Sequence, residues 1–162
     1  MAISIPAYIS YLPRIRLKEA AREIASDMQY AKVQAIKTNT TTAVLFSPGS
    51  RGYKVITDSG ETSGTLTWSS GNETVKKTVA LSSFEGVSFG GNTSDTRPGD
   101  TEDIDDGVTF TDNVVIFTNK ATSVAGTVYI KNEKGDTMAV GSTSAAGRVK
   151  TWFNWGSGWE DR

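Results

Sequence analysis

The chain contains neither cysteine nor histidine. Without cysteine it can form no disulfide and no thiolate metal site, and without histidine it lacks the commonest general base and the commonest transition-metal ligand. No apolar run approaches the roughly 18–20 residues that a membrane-spanning helix needs. The 17 basic and 18 acidic residues leave a net charge of −1, so a global attraction to nucleic acid or to an anionic membrane is not expected.

Catalytic motifs are missing as well. Serines are plentiful, but no histidine is available to activate one, and neither Ser69-Ser70 nor Ser82-Ser83 lies in a nucleophile-elbow pattern. Gly90-Gly91 precedes no predicted helix, as a phosphate-binding loop would. We therefore predict that the protein is not an enzyme, with no catalytic residue, no cofactor and no metal site of its own.

One long helix is predicted near the start of the chain. Residues 14–37 contain no glycine or proline and are rich in alanine, which favours a helix. Pro6 and Pro13 come before this segment, and neither would sit easily in the middle of an uninterrupted helix. Apolar residues recur at steps of three and four and form one stripe. The stripe residues that we expect to seat the helix on a sheet are Leu17, Ile24, Met28, Ala31 and Ala35.

The rest of the chain is typical of short strands separated by turns. The predicted strands are residues 40–47, 52–57, 65–69, 74–81, 87–89, 108–111, 114–118, 126–132, 137–140 and 148–153. Because no second long helix is predicted, we expect an α+β fold in which the N-terminal α-helix packs against antiparallel β-sheets. Residues 1–38 would form the helix and residues 39–162 a β-rich head, and together they would make one domain.

Three stretches are candidates for binding. The acidic loop, residues 90–107, could hold calcium through its carboxylates or could simply be a solvated surface loop, and it fails the EF-hand spacing because Ile104 stands where a ligand is needed. Arg148 and Lys150 share one face of a predicted strand and could contact nucleic acid, or could lie on a solvent-facing edge. The aromatic residues near the C-terminus could close the core or mark a contact surface. They are Trp152, Phe153, Trp155 and Trp159.

A family resemblance is carried by the start of the chain. Residues 2–8 (AISIPAY) resemble the point where type IV pilin-like proteins leave the membrane, and residues 17–39 (LKEAAREIASDMQYAKVQAIKTN) resemble the helix of the GspH/FimT family. This family comprises the H-type minor pseudopilins of type II secretion and their type IV pilus relatives. The likeness continues into residues 40–47 and returns at Gly147-Arg148-Val149-Lys150, where the family often has Gly-Arg-any-Arg.

The resemblance implies a pilin-like fold and a structural function in protein transport. Such subunits carry a short leader and a hydrophobic N-terminal helix half that begins at a methylated residue and anchors them once in the bacterial inner membrane, with the head in the periplasm. They assemble with other minor and major pseudopilins, and the minor ones are thought to form or prime the filament tip. Because the leader and most of the apolar segment are not seen here, we expect the given chain to be a shortened, soluble form of such a subunit.

Two further implications concern particular residues. Apolar residues ahead of the stripe would face other subunits in the filament, as a severed interface would. They are Ile5, Tyr8, Ile9, Tyr11 and Leu12. The alternative function is that of a FimT-like minor pilin that binds DNA for uptake through Arg148 and Lys150, although Lys150 lacks the bidentate fork of arginine. The sequence leaves open whether the system secretes proteins, builds a pilus or takes up DNA.

Overall fold

The computed structural model describes residues 5–58, 73–91, 106–143 and 145–161, with side chains from residue 11 to residue 57 in the first range. A single long helix, α1 (Ile5–Thr38), comes first. The strands of the described ranges are β1 (Thr42–Ser47), β2 (Gly52–Asp58), β3 (Glu73–Ala80), β4 (Val87–Phe89), β5 (Val114–Phe117), β6 (Gly126–Asn132), β7 (Thr137–Ser142), β8 (Val149–Asn154) and β9 (Trp159–Asp161).

The described strands form two antiparallel sheets. The first sheet has the order β3-β2-β1-β5, and the second has the order β4-β6-β7-β8-β9. After β3 the chain contributes β4 to the second sheet and then returns to the first for β5. This exchange links the two sheets through the chain. One long helix with antiparallel sheets confirms the predicted α+β class.

The helix lies across both sheets and buries one stripe of side chains against them. At the steps of three and four that a helix requires, these residues are fully buried: Leu17, Ala20, Ala21, Ile24, Met28, Ala31 and Ala35. Four of the seven are alanines, whose small side chains let the helix backbone come close to the strands. The stripe belongs to one continuous apolar core that also includes residues of both sheets.

Phe46 on β1 joins the two sheets inside this core. Its ring centroid lies 5.7 Å from that of Tyr53 on β2 and 6.2 Å from that of Phe89 on β4, in the second sheet. It also stacks at 6.2 Å on Phe110. Because aromatic pairs at these distances stabilise beyond the area that they bury, Phe46 strengthens the packing between the two sheets.

The helix ends where the sequence predicted. Asn39 adopts a left-handed backbone with φ 53°, a conformation that ends many helices. The Thr40 amide donates to the Ala35 carbonyl at 3.3 Å, and the Thr38 hydroxyl donates to the Gln34 carbonyl at 2.7 Å. The division into units 1–38 and 39–162 stays a prediction.

Three expectations need correction. Helix α1 begins at Ile5 and continues through Pro13 instead of starting after it. Residues 108–111 form no strand, because only Val108 makes a bridge, to Val128, and the turn that follows holds Asp112 at φ 55°. Strand β9 was not predicted. The predicted strand 65–69 and most of the acidic loop lie outside the described residues, and the remaining predicted strands are present with slightly shifted ends.

Candidate assembly surface

An ion cluster fixes the helix to the first sheet. Asp27, only 4% exposed, accepts a hydrogen bond from the Tyr53 hydroxyl at 2.8 Å. Lys77 on β3 donates to Asp27 at 2.7 Å and to Glu23 at 2.6 Å. We call these four residues, Glu23, Asp27, Tyr53 and Lys77, the helix–sheet ion cluster. Both partners of the buried carboxylate among the described residues come from the sheet, so the cluster sets the position of the helix on it.

The protonation of this cluster follows from burial and charge. Burial, and then the hydrogen bond to Asp27, raise the pKa of the Tyr53 hydroxyl well above its ordinary value. Burial alone would lower the pKa of Lys77, but its hydrogen bonds to Asp27 and Glu23 outweigh that effect and raise it. Tyr53 is therefore a neutral donor and Lys77 a cation throughout the physiological pH range.

A second ion pair fixes the helix to the second sheet. Arg14 donates from Nε and Nη2 to the two carboxylate oxygens of Asp136, at 3.0 and 2.9 Å. Asn132 donates to the same carboxylate at 3.0 Å and accepts from the Asp136 amide, which closes the turn between β6 and β7. Burial would raise the pKa of Asp136, but the bonds from Arg14 and Asn132 prevail and hold it below its ordinary value.

Trp155 stands beside this ion pair. The Arg14 guanidinium carbon lies 5.2 Å from the centre of its ring, and the Lys18 ammonium lies 5.4 Å from it. Both distances are within the range of cation–π attraction. Phe153 stacks on the same ring at 5.3 Å. Trp155 is therefore held between the helix and β8, half-buried.

The outward face of the helix carries large apolar side chains. Tyr11 and Ile15, 61% and 41% exposed, form the N-terminal patch. Tyr30, Val33 and Ile36, 40%, 56% and 50% exposed, form the C-terminal patch. Ile15 and Val33 are about five helical turns, or about 27 Å, apart and point in the same direction.

Polar residues separate the two patches. Arg22, Ser26 and Gln29 lie between them on the exposed side of the helix. The side chains of Ser26 and Gln29 make no ion pair or hydrogen bond within the described residues. The outward face is therefore two apolar patches joined by a polar bridge, while the opposite face is sealed against the sheets.

The predicted stalk residues divide into two groups. Tyr11 is exposed and Leu12 is half-buried. The side chains of Ile5, Tyr8 and Ile9 lie outside the described part of the chain, although their backbone belongs to α1. Their contact with other subunits stays a prediction.

The predicted basic motif lies away from the helix. Arg148 is exposed just before β8, and Lys150 is half-buried on it. Lys150 lies 3.6 Å from the carboxylate of Asp161 on β9, so part of its charge is balanced. Val149 and Phe153 pack on the main core beneath the helix. Since side chains alternate along a strand, Lys150 projects from the opposite face of the second sheet.

The C-terminal aromatic residues divide between the two faces of the second sheet. Trp152, 7% exposed, joins Tyr129 and Ala139 on the outer face, where Trp159 meets Tyr129 edge-on at 5.8 Å. Phe153 and Trp155 pack on the helix side. Trp155 and Trp159 are half-buried, and a contact surface at these residues stays a prediction. The acidic loop, by sequence either a calcium site or a solvated surface loop, lies mostly outside the described residues. Within those residues no group of three or more acidic side chains is placed to hold a metal ion.

Sequence reasoning missed the C-terminal patch and both helix anchors. The patch had a signal, since Tyr30, Val33 and Ile36 follow one another at steps of three on the side away from Leu17. The anchors had none, because Lys77 and Asp136 are far from the helix in sequence. No helix in the described part of the chain combines the length and the apolar character that a membrane span requires.

Comparison with known proteins agrees with this architecture. Two structures of the minor pseudopilin EpsH from the type 2 secretion system of Vibrio cholerae resemble the chain, each with a TM-score of 0.50. They are 13% and 14% identical to it, and the alignments cover 84% of this chain and 95% and 92% of theirs. At such identity the likeness shows the fold alone. None of the curated protein sequences matches the chain. Residues 20–149 match the family described as type II transport protein GspH. Because that match spans most of the chain, the protein belongs to the GspH family.

Proposed function

We propose that this protein is a minor pseudopilin, a structural subunit of a type II secretion pseudopilus that acts by assembling with other subunits at the filament tip. The observation that carries the proposal is the two-faced helix. One face is sealed on the sheets, and the other exposes the N-terminal and C-terminal patches. Large exposed apolar patches rimmed by polar residues mark protein interaction sites. The partners are the other minor and major pseudopilins of the same filament.

The energetics suit an interface between helices. Burying a large apolar side chain fully is worth about 1.5–3 kcal/mol, so covering these half-exposed residues would supply roughly 1 kcal/mol each. Five such residues give a moderate gain before the costs of association. Membership of the GspH family supports the same assignment, with the subunit held in the inner membrane and its head in the periplasm. The function needs no reaction and no cofactor.

Introducing a negative charge into each patch of the outward face tests the proposal. Ile15→Glu and Val33→Glu, one in each patch, should abolish co-assembly of the membrane-anchored subunit with the other pseudopilins, because each places a carboxylate in an apolar contact. Both side chains are only partly covered, so the free energy of unfolding should change by less than about 1 kcal/mol.

The matched control is Gln29→Glu, which introduces the same charge on the polar bridge and should assemble normally. Co-purification of the assembled subunits and circular dichroism measure the two effects. Unchanged assembly in both patch variants would refute a role for this face.

DNA uptake receives less support from the described residues. The charge of Lys150 is partly balanced by Asp161, and a nucleic-acid footprint normally has a broad basic surface. A salt-dependent mobility-shift assay with Arg148→Ala and Lys150→Ala tests it. Binding at low salt that both substitutions remove would favour the FimT-like alternative, and no binding would remove it.

A further inference from the structure

A recess runs between the helix and the second sheet, beside Trp155. It consists of two adjoining cavities of about 100 Å³ and about 310 Å³. We call it the basic groove, and its lining residues are Lys18, Arg22, Met138, Thr151, Phe153 and Trp155. Met138, Phe153 and Trp155 make an apolar floor, while Lys18 and Arg22 form a cationic rim along the helix.

No carboxylate of the described residues neutralises the rim charges. Two other cations of the helix do have carboxylate partners: Arg14 pairs with Asp136, and Arg16 pairs with Glu85 at 2.7 Å. Among the described residues, no carboxylate oxygen lies within 4.0 Å of the Lys18 ammonium or the Arg22 guanidinium. These two cations are one helical turn apart on the same side, where like charges repel modestly. A ligand that brings two or more carboxylates would relieve this repulsion.

The apolar floor is held in place by protein contacts and can receive a side chain of a ligand. Arg14 is committed to Asp136 and lies against the Trp155 ring, and Phe153 stacks on that ring from the sheet. A rigid aromatic surface loses little conformational entropy when a ligand covers it. The smaller cavity has the size of one aliphatic side chain. The recess therefore fits an apolar residue flanked by acidic ones.

A larger recess elsewhere lacks such a preference. It has a volume of about 600 Å³ and is lined by cations and carboxylates together, among them Arg51, Lys131, Glu85 and Glu133. Mixed charges of this kind do not select a ligand of one sign. Only the basic groove, of these recesses, combines an apolar floor with charges of a single sign.

We propose that the basic groove docks an acidic segment, with an apolar residue at its centre, from a neighbouring subunit of the filament. This proposal rests on the proposed function, since the neighbour presents the segment. Surface ion pairs contribute only about 0.2–1 kcal/mol each, so the free segment binds weakly. On an adjacent subunit the effective concentration reaches the millimolar range, which makes weak docking sufficient to fix how two subunits face each other.

The site differs from the predicted DNA motif. Lys150 projects from the far face of the sheet, so the two basic regions do not form one surface. A nucleic acid needs a row of cations that follows its backbone, whereas the groove presents two cations over an apolar floor. An acidic peptide is therefore the occupant that the groove favours.

The probe is the blocked pentapeptide EDIDD, which has the sequence of residues 102–106 of this chain. Titrated into the labelled 162-residue protein, it should shift the indole N–H signal of Trp155, assigned through Trp155→Phe, with a dissociation constant of about 0.1–1 mM. Lys18→Glu with Arg22→Glu should weaken binding more than tenfold. Lys18→Gln with Arg22→Gln, which removes the charges without reversing them, should weaken it less and serves if the first pair does not fold.

The matched control is Lys37→Glu with Lys120→Glu, which makes the same change in net charge at two exposed positions and should bind as the parent does. The proposal would be overturned if this control weakened binding equally or if no shift appeared at millimolar peptide. It would also be overturned if the uncharged peptide QNINN bound equally well, or if a five-phosphate oligothymidylate bound more tightly. The patch variant Val33→Glu, about three helical turns beyond Arg22, should bind the peptide normally. Loss of assembly and loss of peptide binding thus report separately on the proposed function and on the groove.

Discussion

The helix–sheet ion cluster can be tested by a double-mutant cycle on Asp27 and Tyr53. Asp27→Ala removes the buried carboxylate, which accepts from the Tyr53 hydroxyl at 2.8 Å. Tyr53 is only 2% exposed, so its hydroxyl is then buried without an acceptor. Tyr53→Phe removes the hydroxyl instead and leaves Asp27 bound to Lys77. The two single substitutions therefore break the same hydrogen bond from opposite ends.

The magnitude follows from these contacts. Stranding a buried donor costs about 1–3 kcal/mol, and a hydrogen bond to a charged group is worth about 1.5–3 kcal/mol. Lys77 keeps Glu23 and is partly exposed, so little is added by its lost bond. We expect Asp27→Ala to lower the free energy of unfolding by about 2–4 kcal/mol and Tyr53→Phe by about 1.5–2 kcal/mol.

The double variant should cost less than the sum of the single ones, because no hydroxyl is then left unpaired. We expect a coupling free energy of about 1–2 kcal/mol. Urea unfolding followed by circular dichroism measures all four proteins, and a change of 1 kcal/mol corresponds to about 2–4 °C in Tm for a domain of this size. Additive effects within about 0.5 kcal/mol, or an Asp27→Ala cost below about 1 kcal/mol, would refute the buried hydrogen bond.

Two other predictions concern the second sheet. Asp136 has a lowered pKa in the fold, so it stabilises the protein above its unfolded pKa of about 3.9 and this gain is lost as the pH falls through the folded value. Asp136→Asn should therefore be about 1–2 kcal/mol less stable at pH 7, with the difference shrinking below about pH 4. Thermal melts of both proteins from pH 2 to pH 7 measure this, and a constant difference would contradict it. Gly141→Ala would place a Cβ 2.5 Å from the Gly126 carbonyl oxygen of the neighbouring strand, and should cost about 1–3 kcal/mol in urea unfolding. Gly49→Ala, which meets nothing within 4 Å, is its control and should be nearly neutral; equal effects would contradict the close strand contact.

The sequence predicts the helix well because its signal is local. The buried stripe from Leu17 to Ala35 repeats at helical spacing, and Asn39 suits the left-handed residue at its end. Pro13 misled the prediction of the start. A proline removes one hydrogen bond and crowds the preceding turn, but the sequence does not tell whether the rest of the helix continues around it, as it does here.

The ion cluster could not be predicted, because it depends on strand register. In the sequence, Glu23 and Asp27 are like charges one helical turn apart, which repel modestly unless a cation lies nearby. In the structure Lys77 supplies the compensation from β3. It reaches the helix because a bulge lies between Val55 and Ile56, so that Lys77 pairs with core-facing Val55. A bulge changes which face of the sheet the following side chains occupy, and no residue pattern in the sequence predicted this bulge.

The sequence prediction was also wrong at residues 108–111 and at β9, for a similar reason. Residues 108–111 are β-branched and aromatic, as a strand would be, but Phe110 turns into the core and stacks on Phe46. The backbone then turns through Asp112 and Asn113, both with positive φ. Strand β9 is short and acidic and exists because it pairs with β8. In both places tertiary contacts decide the structure.

The two faces of the helix also predict a separation of stability from assembly. Tyr53→Phe weakens the inward face and touches neither patch, so a variant that remains folded at the assay temperature should assemble as the parent does. Ile15→Glu should show the reverse, with normal stability and no assembly. This pair of opposite results would show that the ion cluster holds the head on the helix and that the patches bind neighbouring subunits. If folded Tyr53→Phe also lost assembly, the position of the head on the helix would itself be part of the interface, and the outward face would not act alone.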